Sequence, residues 1–95
     1  MYARVARWEG TDAKAQQEMS DMINASDGPP EGVPSTGIMV LNDADGGRSL
    51  VIALFETEEN LRTGDEALRA MDRPPGSAGD VSSIELYEVG VDRRM

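Results

Sequence analysis

Two hydrophobic rhythms divide the chain into six segments. Residues 1–9, MYARVARWE, alternate in polarity and carry Tyr, Val and Trp, which predicts a strand. Residues 12–25, DAKAQQEMSDMINA, predict a helix. Ala15, Met19, Met22 and Ile23 fall at i, i+4, i+7 and i+8 on one apolar stripe. Thr11 or Asp12 supplies the side-chain oxygen that caps its first turn. SDGPPEGVPSTG, residues 26–37, then stops the helix with prolines and glycines and reads as a rigid spacer. Residues 38–41, IMVL, and 48–56, RSLVIALFE, predict two strands. Thr57 caps a second helix over 58–71, with Glu58 and Glu59 at the favourable end of the helix dipole. Leu61, Leu68 and Met71 share one face of that helix, with Gly64 between them. A loop over 72–80 leads to a last strand over 82–91, and DRRM forms a frayed tail.

The order β–α–β–β–α–β predicts an α+β fold of the ferredoxin-like kind: one domain over residues 1–95, with a four-stranded antiparallel sheet and both helices on one face. NDADGG, residues 42–47, resembles the start of a calcium loop. No register gives it the glutamate that an EF-hand needs at its twelfth position, and its flanks are strands. It reads as the turn between the middle strands, with Asp45 and Gly46 tolerating positive φ.

Side chains alternate across each strand, so the sheet has two distinct faces. Leu50, Ile52 and Leu54, with Ala3, Val5, Ile84 and Leu86, are expected to face the helices. The opposite parity collects Tyr2, Arg4, Ala6, Trp8, Val51, Ala53, Phe55, Ser83, Glu85, Tyr87 and Val89, and with them every aromatic residue of the chain. So apolar a face would not be left bare. A second copy is expected to cover it, giving a two-fold homodimer with a shared interior. The parity of residues 38–42 stays open, because both of its sets are apolar.

Composition narrows the chemistry. Nine basic against 18 acidic residues give a net charge of −9, which disfavours nucleic acid and anionic membrane as partners. No segment is apolar enough for a signal peptide or a membrane span, so a cytoplasmic protein is expected. With no cysteine and no histidine, no metal site is expected, and any acid–base work falls to carboxylates, tyrosines or Lys14.

The strand MYARVARWEG, the hairpin GIMVL…GGRSLVIALFET, the helix start TEENLR and the closing VSSIELYEVGV together resemble the dimeric α/β-barrel superfamily. Within it, they resemble the antibiotic-biosynthesis-monooxygenase-like domains. The resemblance covers nearly the whole chain and implies a ferredoxin-like protomer, dimerisation through the sheet faces, and a pocket between sheet and helices or inside the barrel. Some relatives oxidise quinol-like or polyketide substrates without a cofactor, and others degrade haem. The haem-degrading relatives use a histidine, so the absence of histidine is expected to disfavour that activity here.

The candidate catalytic set is Arg4, Glu85 and Tyr87, expected on one face because the first and last strands are neighbours. Arg4 would hold an anionic or enolate oxygen, while Glu85 or Tyr87 moves a proton. A structural ion pair bridging the dimer interface is the simpler account of Arg4 and Glu85. Trp8, Tyr2, Phe55 and Asn42 are the candidate ligand-binding residues, with Trp8 and Phe55 as a ring-binding wall. Arg62 and Glu66, at i and i+4, read as an exposed helix pair. The expected function is a cofactor-independent, monooxygenase-like protein that acts on or binds a small aromatic or polycyclic ligand. The alternative is a non-catalytic ligand-binding, accessory or structural homodimer.

Overall fold

The structure is a computed structural model that describes residues 1–70 and 80–95. The predicted order is observed: β1 (Tyr2–Glu9), α1 (Ala13–Ala25), β2 (Gly37–Asp43), β3 (Arg48–Phe55), α2 (Glu58–Ala70) and β4 (Asp80–Glu88). The strands form one antiparallel sheet in the order β2-β3-β1-β4, the ferredoxin-like arrangement. Met71, expected on the apolar face of α2, and most of the predicted loop that follows lie outside the described residues.

The helix ends follow capping chemistry. Asp12 accepts from the Ala15 N–H at 2.8 Å, and Thr57 Oγ1 accepts from the Asn60 N–H at 3.1 Å. Helix α1 is fixed at one end by a buried polar pin. The side-chain nitrogen of Gln16 donates towards Thr11 Oγ1, the Asp43 carbonyl and the Arg48 carbonyl, at 2.9, 3.2 and 3.1 Å. These contacts tie the helix to the base of the β2–β3 hairpin.

The hairpin turn differs from expectation in its detail. The positive φ falls on Gly47, at 66°, and neither Asp45 nor Gly46 adopts one. Asp43 is the reason: its carboxylate accepts from the Gly46 N–H at 2.9 Å and from Arg48 Nε at 3.0 Å, drawing in a longer loop that closes at Gly47. The proline-rich connection also does more than span a gap. A turn from Pro30 to Val33, with Gly32 at φ 82°, drops Val33 into the core beside Ala53, Phe55 and Leu61.

The register reverses the expected facing of β1 and β3. Tyr2 pairs with Phe55, Arg4 with Ala53, Ala6 with Val51 and Trp8 with Ser49, and this set faces the helices. Phe55 is fully buried, and its ring sits where a Cβ on Gly64 of α2 would overlap it. Leu50, Ile52 and Leu54 point the other way, to a face that no helix covers. Ala3 and Val5 join them from β1, and Met39 and Leu41 from β2, which settles the parity of that strand. Strand β4 faces as expected, with Ile84 and Leu86 towards the helices and Ser83, Glu85 and Tyr87 on the open face.

The buried centre of the helix-facing layer is therefore built from small residues around one ring, with Ala6, Ala15, Ala53 and Phe55 all buried and Tyr2 and Trp8 half-buried at its ends. Small side chains let the helices lie close to the sheet, so a purely aliphatic inner face was not needed. The expected open face rich in aromatic residues does not exist, because Tyr2, Trp8 and Phe55 lie on the helix side and Tyr87 alone lies outside. The open face is aliphatic instead.

Candidate functional site

Beneath α2, where β1 begins and β4 ends, lies an open cleft of ≈ 740 Å³. Helix α2 supplies one wall with Glu58, Leu61, Arg62, Asp65, Glu66 and Arg69, and the strand ends supply the other with Tyr2, Leu86 and Glu88; Tyr87 borders it from β4 with its side chain on the opposite face. Amphipathic periodicity sets the helix wall. Leu61, Asp65 and Leu68 fall at i, i+4 and i+7, so Asp65 is carried into the inward stripe.

An inward carboxylate needs partners. Arg4, itself only 7% exposed, donates from Nε to Asp65 Oδ1 at 2.9 Å. Arg69 donates from its own Nε to both carboxylate oxygens, at 2.9 and 3.0 Å. Asp65 thus joins the floor of the sheet to the rim of the cleft. Burial alone would raise its carboxyl pKa, but the hydrogen bonds from Arg4 and Arg69 outweigh it and hold the group below its ordinary value of 3.8.

The sign of the stability effect follows. A carboxyl depressed in the folded state stabilises the fold above its unfolded pKa, and that contribution fades as pH falls through the folded value. Replacing Asp65 with Asn is expected to cost about 2 kcal/mol at pH 7, the range for hydrogen bonds to charged groups. The gap between the two proteins should narrow below about pH 4, near the unfolded aspartate pKa. Urea titrations at pH 7 and pH 3 check both statements.

The expected catalytic set is not assembled. Arg4 pairs across the sheet with Leu86, not Glu85, so Arg4 and Glu85 lie on opposite faces. Arg4 reaches Asp65, while Glu85 accepts a short hydrogen bond from the Tyr87 hydroxyl. Of the expected ligand-binding residues, Tyr2 lines the cleft, while the Tyr87 side chain of the catalytic set lies on the opposite face with Glu85. Phe55 cannot touch a ligand, because it is sealed in the core. Trp8 is six residues along β1 from Tyr2, about 20 Å at the usual strand rise, so no wall of Trp8 and Phe55 forms. Asn42 accepts from Ser49 Oγ at 2.8 Å and borders a separate recess of ≈ 250 Å³. Arg62 bonds to Glu58, one turn before it, rather than to Glu66.

Asp65 and Arg69 escaped the sequence reading because their i, i+4 spacing looks like an ordinary exposed pair. The available signal was the carboxylate's place in an apolar stripe.

No protein-family model matches the chain, and no curated protein is significantly similar to it. Among solved structures, that of a substituted MhuD with two manganese protoporphyrin IX bound per active site matches over 100% of both chains, with a TM-score of 0.65 at 22% identity. The chain therefore shares the βαββαβ ferredoxin-like fold of that structure. One expectation is corrected by this likeness: haem-directed activity cannot be set aside for the chain, since a structure of the same fold holds manganese protoporphyrin IX in its active site. Among the described residues, no helix is long and apolar enough to cross a membrane.

Proposed function

We propose that the cleft beneath α2 binds a planar polycyclic aromatic ligand of the porphyrin class, in a protein that pairs with a second copy through its open sheet face. The observation that carries this reading is the composition of the cleft. Tyr2, Leu61 and Leu86 offer aromatic and apolar surface to a flat ring system. Arg62 and Arg69 stand at the rim, paired with Glu58 and Asp65 beside Glu66 and Glu88, so acidic substituents of the ligand would have to draw these arginines from their own carboxylates. The volume of ≈ 740 Å³ falls within the range of small-molecule sites. The full-length likeness to a porphyrin-bound MhuD supports the ligand class.

The donor set also fits a metalloporphyrin. Of the side chains that hold haem iron in proteins, tyrosine is the type that lines this cleft, as Tyr2. A bound metalloporphyrin would supply redox chemistry, and this chain's own side chains would seat it and set its orientation.

Titration with free-base protoporphyrin IX and with manganese protoporphyrin IX, followed by absorbance, tests the reading. Saturable binding of both is expected. Replacing Arg62 and Arg69 with Ala together should weaken it about tenfold, or ~1.4 kcal/mol. Tyr2→Phe should change the spectrum of the bound manganese complex and leave the free-base spectrum alone. Absence of saturable binding to either porphyrin would sink the proposal.

The pairing rests on the open face. Val5, Leu50, Ile52, Leu54, Met39 and Leu41 form a continuous aliphatic surface on one side of the sheet. Met39 and Leu41 are 40% and 46% exposed, which is unusual for side chains of that size inside strands. A two-fold contact would bury the same patch on both copies. Light scattering is expected to give twice the chain mass.

A further inference from the structure

The open face is not wholly aliphatic. Arg7 lies within it, opposite Leu50 on β3 and Ser83 on β4. Its Nε is buried and has no hydrogen-bond partner among the described residues. One edge of this guanidinium has therefore already lost water without gaining an acceptor. Covering the face with a second copy, the reading on which this inference rests, would remove water from the remainder. An arginine buried without a counter-charge is strongly unfavourable, so the covering surface has to bring a carboxylate.

A two-fold contact limits the choice to acids on the same face of an identical chain. Asp43 is already held by the Gly46 N–H and by Arg48. Glu9 and its neighbour Asp80 lie at the end of the sheet, where water remains. Glu85 lies midway along the edge strand β4, exposed on this face beside Val5 of β1. Its carboxylate is held on this face by the Tyr87 hydroxyl rather than by its own chain's Arg7. Space for an incoming carboxylate exists as well: Arg7, Leu41 and Leu50 border the recess of ≈ 250 Å³.

We propose that Arg7 of each copy pairs with Glu85 of the other, so that the contact forms twice about the two-fold axis. The pair sets the register of the two sheets. An aliphatic surface alone would let the sheets slide or accept another apolar partner. Two buried charges that are satisfied in a single alignment do not.

Charge reversal tests this. Arg7→Glu and Glu85→Arg, each alone, should weaken self-association at least tenfold by analytical ultracentrifugation, because each places like charges together twice. Mixed in equal amounts, the two variants should form a heterodimer, since both cross-copy pairs are then of opposite sign. Pairing within one chain cannot give that result, because each variant carries two like charges of its own. Far-ultraviolet circular dichroism establishes that both variants are folded. If either fails, the milder Arg7→Gln and Glu85→Gln replace them and should each weaken association. A dimeric wild type whose association the variants leave unchanged, or reversed variants that do not combine on mixing, would overturn the pairing alone. A monomeric wild type would overturn the dimer and the pairing together.

Discussion

Replacing Phe55 with Ala is expected to cost about 3–5 kcal/mol of folding stability, the range for emptying a buried aromatic site. Phe55 is fully buried at the end of β3, among Val33, Ala53 and Leu61. Its ring fills the notch that Gly64 leaves in α2, so the lost volume faces a helix backbone with no side chain able to collapse into it. The neighbours cannot compensate either, since Ala53 is small and Val33 is fixed by its own turn. Small domains have about 5–15 kcal/mol in total, so the variant should lose a large share of its stability. Chemical denaturation followed by circular dichroism measures the loss. A midpoint close to wild type would mean that Phe55 does not hold α2 to the sheet. Filling the notch from the other side, with Gly64→Ala, should also destabilise: the gain in helix propensity, about 1 kcal/mol, is outweighed by overpacking against the ring.

Replacing Ile52 with Asp should separate folding from assembly. Ile52 lies in the middle of the open face, opposite Val5 and Met39. In an isolated copy the new carboxylate meets water, so the fold survives. In the proposed dimer two such carboxylates, one per copy, would be buried among aliphatic side chains at about 3–5 kcal/mol each. The dimer should therefore dissociate by several orders of magnitude in Kd while the circular dichroism spectrum stays intact. Light scattering across a dilution series gives the answer. An unfolded variant would show that Ile52 belongs to the folding core, and an intact dimer would show that this face is not the interface.

The order and type of the six elements were legible because each segment carries a clean period and recognisable caps, such as Asp12 and Thr57. The facing of β1 and β3 was not, and the reason is physical. Both sides of these central strands avoid water, so alternation does not say which side is inner. The helices accept Ala6, Ala53 and Phe55 against small residues of their own, and leave Leu50, Ile52 and Leu54 for the outer surface. Strand β4 was read correctly because Ser83, Glu85 and Tyr87 differ in polarity from Ile84 and Leu86. The site was half legible for a related reason. Tyr2 stood out as an aromatic residue in a chain with few. The link from Arg4 to Asp65 spans 61 positions, and it became visible once the faces were known.

The alanine-rich layer under the helices has a consequence for the life of the protein in a cell. Small side chains bury little apolar area, so one copy alone gains modestly from folding. Leu41, Leu50, Ile52 and Leu54 of the sheet lie on the outer surface instead. For a chain that pairs as proposed, stability rises with its own concentration by mass action. Freshly made copies at low abundance would be the ones most open to proteases, and accumulation would lengthen their survival. Abundance and persistence would then be set by a single equilibrium.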